Sequence, residues 1–324
     1  MGLKTLKMVI LLTKYHNIYI SAKKPENMLE KIKHIYETKY KLLLLIPILL
    51  VVFALVQIAV QYSITGDFVH RGVSLKGGST ITITKVEGLD VPGLESELKN
   101  KFPAADVSVR TISSAGTLIA VSVDSDLQGS DVTSLANIIQ QKTGVSSHDY
   151  SVEIIGSSLG DAFFTQTIHA LLVAFLLMGI VVFIYFRVLI PSLAVIAAAF
   201  SDIVVTLAIF NLTGIRLSTA GVAAFLMLIG YSVDTDMVLT TRVLKRTEGT
   251  LMDRIYSAIK TGSVMISATL AAVVITLIFV QSDVIKQIMI ILLIGLMVDY
   301  IMTWIQNVAL LRLYMERKGR KNKA

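Results

Sequence analysis

AAFLMLIGYSVDTDMVLTTRV, residues 223–243, decides the fold. The stretch is long and apolar enough to cross a bilayer core about 30 Å thick, which takes roughly 20 helical residues. Two acids, Asp234 and Asp236, sit inside it. Ionisable side chains at membrane depth are costly, and a functional role is the default expectation. On a helix the two positions lie about 200° apart, so the acids face opposite ways. The reading assigns Asp234 to the interior of a helix bundle, next to Asp202. It assigns Asp236 to a boundary or a neighbouring subunit.

Working outward, five similar blocks appear. Of 324 residues, 54% are hydrophobic and 16% charged, against roughly 25% charged in a soluble domain. Spans are expected near 42–60, 163–186, 188–210, 217–241, 264–281 and 287–311. Arg187 and Pro191 mark a tight hairpin between the second and third. The chain has no cysteine, which excludes disulfides, thiol catalysis and Cys-ligated metals. The net charge of +7 does not point to nucleic acid, because the basic residues flank the spans. They cluster in residues 1–41, in 242–260 and in the tail 312–324. Six spans with both termini in the cytoplasm put every large cluster inside, against anionic lipid headgroups. Residues 21–40 carry Leu29, Ile32, Ile35 and Tyr36 at helical spacing, fitting an amphipathic surface helix.

Residues 62–162 form a hydrophilic insert with twelve acidic and seven basic residues, a net charge near −5 that suits the outer side. Strands are expected at 79–88, 106–113, 117–125 and 150–156, with helices at 92–100 and 129–143. Asp131 is expected to cap the second helix and Gly144 to end it. The order β-α-β-β-α-β predicts an α+β, ferredoxin-like extracytoplasmic domain between the first and second spans of a polytopic α-helical membrane protein. The pair His148–Asp149 is too small a set to specify a metal. Before the domain, Gly72, Gly77 and Gly78 allow tight turns in a glycine-rich hinge. Lys76-Gly77-Gly78-Ser79 lacks the spacing of a phosphate loop. No cofactor, metal or catalytic site is indicated, and no enzymatic activity is expected.

Mechanism is sought among the membrane acids. Asp202 lies in the third span, Asp234 and Asp236 in the fourth and Asp299 in the sixth. Arg242 and Lys260 are the candidate basic partners. A carboxyl group in such surroundings can take up and release a proton, the basis of an ion-coupled device. Gly230 and Gly295, each one turn before an acid, permit close helix packing. Structural hydrogen bonds that hold the bundle together are the plain alternative. Gln166 and His169 could line an outer polar entrance.

The layout of one span, an outer domain and five further spans resembles the SecF family of protein-export membrane proteins. The residues that carry the likeness are Gly72-Val73-Ser74-Leu75-Lys76-Gly77-Gly78, Ser201-Asp202, and Ile229-Gly230-Tyr231-Ser232 with Asp234-Thr235-Asp236 and Arg242. The pattern is closer to the archaeal branch. The bacterial fourth-span motif reads Asn-Asp-Thr where this chain has Asp-Thr-Asp, Ser74 replaces an Asp, and the nearest match to a basic fifth-span position is Lys260-Thr261. The resemblance implies a partner, SecD, association with the protein-conducting channel, contact with translocating polypeptide and proton coupling as in the RND superfamily. Two other readings stand beside it. One is a structural or assembly subunit without ion coupling. The other is half of an RND-type small-molecule exporter, which a single outer domain and six spans make the weaker fit.

Overall fold

The computed structural model describes residues 28–321 except 85–88, 104, 115–116, 146–148 and 281. The chain divides into two compact units at Leu45/Ile46. In the first, Met28–Thr38 is helical, and Lys33 pairs with Glu37 one turn on at 3.9 Å. The expected surface helix begins at 21, and its first turns lie outside the described residues.

The second unit carries the membrane bundle and the inserted domain. Among the described residues, six helices are long and apolar enough to cross a membrane. The first to fifth spans belong to helices Leu45–Thr65, Ser157–Phe186, Leu189–Leu212, Thr219–Lys245 and Leu251–Phe279. The sixth runs through Asp283–Ile301, a π-helical stretch Met302–Asn307, and Val308–Lys321. The third, fourth and sixth pack on one another and form the core. The first, second and fifth present most of their surface outward, as apolar side chains facing lipid do.

Local chemistry sets the ends. The second span closes on Arg187 in the left-handed region (φ 54°), and only Val188 separates it from the third helix. The Ser218 side chain caps the fourth by accepting from Gly221 N. The fifth starts well before the expected 264, because Thr250 and Asp253 form a capping box. Its polar first turns extend the helix beyond the apolar run, where hydropathy alone does not see it.

The insert folds as strand β1 (Gly78–Thr84), helix α1 (Val91–Lys101), strands β2 (Ser108–Ser114) and β3 (Thr117–Ser125), helix α2 (Ser130–Thr143) and strand β4 (Tyr150–Ile155). The sheet is antiparallel, in the order β2-β3-β1-β4. Alternation decides its faces. Ile81 and Ile83 of β1 sit opposite Val123 and Val121 of β3, and all four pack with Leu94, Leu98, Leu135 and Ile139 of the helices. The cap position of helix α2 is Gly129, with no side-chain cap, and Asp131 sits in the first turn, so the expected cap is displaced by two residues. Gly144 ends it in the left-handed conformation (φ 65°). His148 lies outside the described residues.

The other face of the sheet, with Thr80, Thr82 and Asp124, looks onto the N-terminal ends of the fourth and sixth spans across a cavity of about 390 Å³. Backbone bonds tie the two parts together. Gly72 N donates to Leu217 O (2.8 Å) and Leu217 N to His70 O (2.7 Å). Arg216 pairs with Asp106 at 2.5 Å. The glycine-rich segment is tightly packed rather than loose. A Cβ on Gly77 would stand 2.5 Å from Ser157 Cα, and one on Gly160 2.4 Å from Gly77 N.

Candidate functional site

Three carboxyl groups meet at the centre of the core. Asp202 of the third span, Asp236 of the fourth and Asp299 of the sixth are each 0% exposed. Ser232 Oγ donates to Asp202 Oδ2. Asp299 stands against both Asp202 and Asp236. Thr303 Oγ1 lies 2.9 Å from Asp299 Oδ1 and 3.0 Å from Asp236 Oδ1. Asn307 Nδ2 donates to Asp236 Oδ1 at 2.7 Å. The groups that act on these acids are each other and neutral donors, with no cation beside them among the described residues. Each acid also keeps a buried oxygen with no donor: Oδ1 of Asp202 and Oδ2 of Asp236 and Asp299. Such oxygens are rare in a finished core and call for an explanation.

The π-helical stretch supplies two of the donors. A π turn widens a helix by one residue and recurs at functional sites. Here it carries Thr303 and Asn307, and its Trp304 ring fills the space left by Gly262, where a Cβ would stand 2.4 Å from the ring.

The structure reverses the expected facing of the fourth-span acids. Asp236 is in the core, and Asp234 is exposed. The buried face of that helix runs through Leu228, Ser232, Asp236 and Thr240, spaced by four, and Asp234 falls opposite. It lines a cavity of about 440 Å³ with Tyr185, Thr241, Arg242, Arg246 and Thr261. Lys260 is exposed and does not reach the acids. Arg242 is spent elsewhere: it donates to Ser257 O and Oγ and, at 2.7 Å, to Thr261 Oγ1, joining the fourth and fifth spans. Gly230 is exposed with nothing within 4 Å of its Cβ direction, so among the described residues no other helix packs on it. Gly295 does: a Cβ there would lie 2.5 Å from Leu228 Cδ1. Gln166 and His169 are exposed on the second span.

Residues 135–317 match the family model "Protein export membrane protein SecD/SecF, C-terminal". The protein-export membrane protein SecF of Pyrococcus furiosus is 38% identical over 295 residues, covering 90% of this chain and 97% of that protein. The chain belongs to the SecF family. SecF of Methanolacinia petrolearia is 37% identical over 88% of this chain and 96% of its own length. Among solved structures, SecDF of Thermus thermophilus, a translocon-associated membrane protein, aligns with a TM-score of 0.68 and 17% identity. The alignment covers 86% of this chain and 38% of that longer one, so the SecF fold corresponds to part of SecDF. A second SecDF structure, in a super-membrane-facing form, gives a TM-score of 0.55 at 17% identity over 90% of this chain and 40% of that one.

Reading the sequence alone misses Thr303 and Asn307. Their signal is present, since Asp299, Thr303 and Asn307 recur every four residues in a largely apolar span that also holds Gln287 and Gln306. It is weak because a π turn leaves no mark in composition. Asn211 is also absent from the expected set. It is 4% exposed, and its Nδ2 donates to Phe68 O at 2.9 Å, linking the third span to the segment after the first.

Proposed function

We propose that this chain is an accessory subunit of a Sec protein translocase, paired with SecD beside the protein-conducting channel, and that proton movement through Asp202, Asp236 and Asp299 drives rearrangement of its outer domain. The observation that carries the reading is the meeting of three buried carboxyl groups, with no cation beside them among the described residues, where the three core spans join. The set can hold different numbers of protons, and its net charge changes with each. A charge change inside a low-dielectric core alters how the three helices pack. The outer ends of two of them, at Ser218 and Gln287, bond to each other and border the sheet domain. That gives the acids a mechanical route outward.

In this reading residues 62–162 are an extracytoplasmic lever that touches emerging polypeptide. The sheet order β4-β1-β3-β2 under two helices supports a ferredoxin-like fold for it. Both termini are cytoplasmic, and the basic ends, 1–41 and 312–324, lie against anionic lipid. Asp234 has a different part. With Gly230 and Tyr231 it forms an outward stripe on the fourth span, placed to meet a partner helix, and SecD is the partner proposed.

The experiment replaces Asp202, Asp236 and Asp234 by Asn in cells that rely on this chain for export. D202N and D236N should each lower secretion of a reporter by about tenfold or more while SecD still co-purifies. D234N should instead weaken co-purification. Normal secretion by both core variants would sink the proton-coupled reading. Loss of SecD from D202N or D236N would favour a purely structural role for the cluster.

A further inference from the structure

A hydroxyl has one hydrogen, yet Thr303 Oγ1 is within bonding distance of two carboxyl oxygens, 3.0 Å from Asp236 Oδ1 and 2.9 Å from Asp299 Oδ1. It donates to only one of them. Two full bonds exist together when the other carboxyl carries a hydrogen and donates it to Thr303 Oγ1; one hydrogen split between two ionised carboxylates would leave two buried like charges facing a single donor. All three groups are 0% exposed. From these distances we infer that Thr303 is the relay between the two acids, and that Asp236 and Asp299 share one proton through it.

The transfer balances without any other reactant. Protonated Asp299 gives its hydrogen to Thr303 Oγ1 as the hydroxyl passes its own to Asp236 Oδ1. One O–H bond breaks and one forms at each step of the chain. Thr303 ends as a neutral hydroxyl, Asp236 protonated and Asp299 ionised. The reverse transfer is equally open. Neighbouring groups favour the arrangement unequally: Asn307 donates to Asp236 Oδ1 at 2.7 Å and stabilises Asp236 as the acceptor, whereas Asp299 faces Asp202.

The π-helical stretch gives this placement its cause. Thr303 follows Asp299 by four residues, and Val308 N bonds back to Thr303 O across the widened turn. The turn presents Thr303 and Asn307 to the same oxygen of Asp236. Thr303 is thus a positioning and relay residue rather than a spacer in the core.

The inference rests on the proton-coupled reading for its use, but its chemistry is tested separately. The full chain with SecD, reconstituted in vesicles, is compared with T303V, which keeps the shape and removes the hydroxyl, and with T303S, which restores it. Proton flux after an imposed pH step should fall about tenfold or more in T303V and stay near wild type in T303S. Infrared difference spectra of the purified chain read the carboxylic C=O band. T303V should shift that band, and T303S should return it. An unchanged band in T303V overturns the shared proton, and an unchanged flux in T303V overturns the relay. If the wild-type complex passes no protons while T303V still shifts the band, the shared proton stands and the proton-coupled reading falls.

Discussion

Gly295 leaves no room for a side chain. Its Cβ direction ends 2.5 Å from both Leu228 methyls, and Leu228 is fully buried. G295A must displace packed atoms, and overpacking of this kind costs about 1–3 kcal/mol. Melting of the purified chain in detergent should show a lower midpoint for G295A. G230A, at an exposed helical position with nothing within 4 Å, should leave it unchanged or raise it slightly, since Ala favours helix over Gly. The two glycines look alike in sequence, each one turn before an acid, and only the facing of their helices tells them apart. The same uncertainty governs Asp234 and Asp236. Their opposition was legible from spacing alone. Which one is buried follows the stripe Ser232, Asp236, Thr240, which the sequence carries, but spacing alone does not say which of two opposite faces meets the neighbouring helices.

At the scale of elements, α1 and α2 are joined by a surface ion pair whose pH behaviour follows from its geometry. Glu97 of α1 is held below its usual carboxylate range, first by a hydrogen bond from Lys142 of α2 and further by Lys101. A carboxylate titrating lower in the folded state than in the unfolded stabilises the fold above its ordinary range, and that contribution is lost as pH falls through the lowered value. E97Q should therefore melt slightly below the wild-type full chain at neutral pH, and the gap should close in acid. A constant gap across the titration would show that the pair contributes nothing. The strands and helices of this domain were legible because alternation and the helix-ending Gly144 are local signals, whereas the start of α2 carries no side-chain cap to read. The π turn in the sixth span was not, because it depends on where Thr303 and Asn307 must reach in the third dimension.

For the molecule as a whole, the absence of cysteine makes orientation directly measurable. Ser130 and Lys318 are both exposed. A membrane-impermeant maleimide added to intact cells should label S130C, and should label K318C only after the membrane is opened. The opposite pattern would invert the assigned topology. Six spans and their basic flanks could be read from the chain because hydropathy and charge act over whole segments. The meeting of the third, fourth and sixth could not, since helix order in sequence says little about which ones share a core. Gly77 and Gly160 bring the start of the domain's first strand against the start of a 30-residue helix, about 45 Å long, most of whose membrane-spanning side chains are unburied and apolar, as lipid-facing ones are. A joint so close-packed would pass a push on the domain to that helix as tilt, like an oar in its lock. In the proposed cycle the lipid is then the restoring spring, and membrane thickness and stiffness enter the resistance the domain would meet.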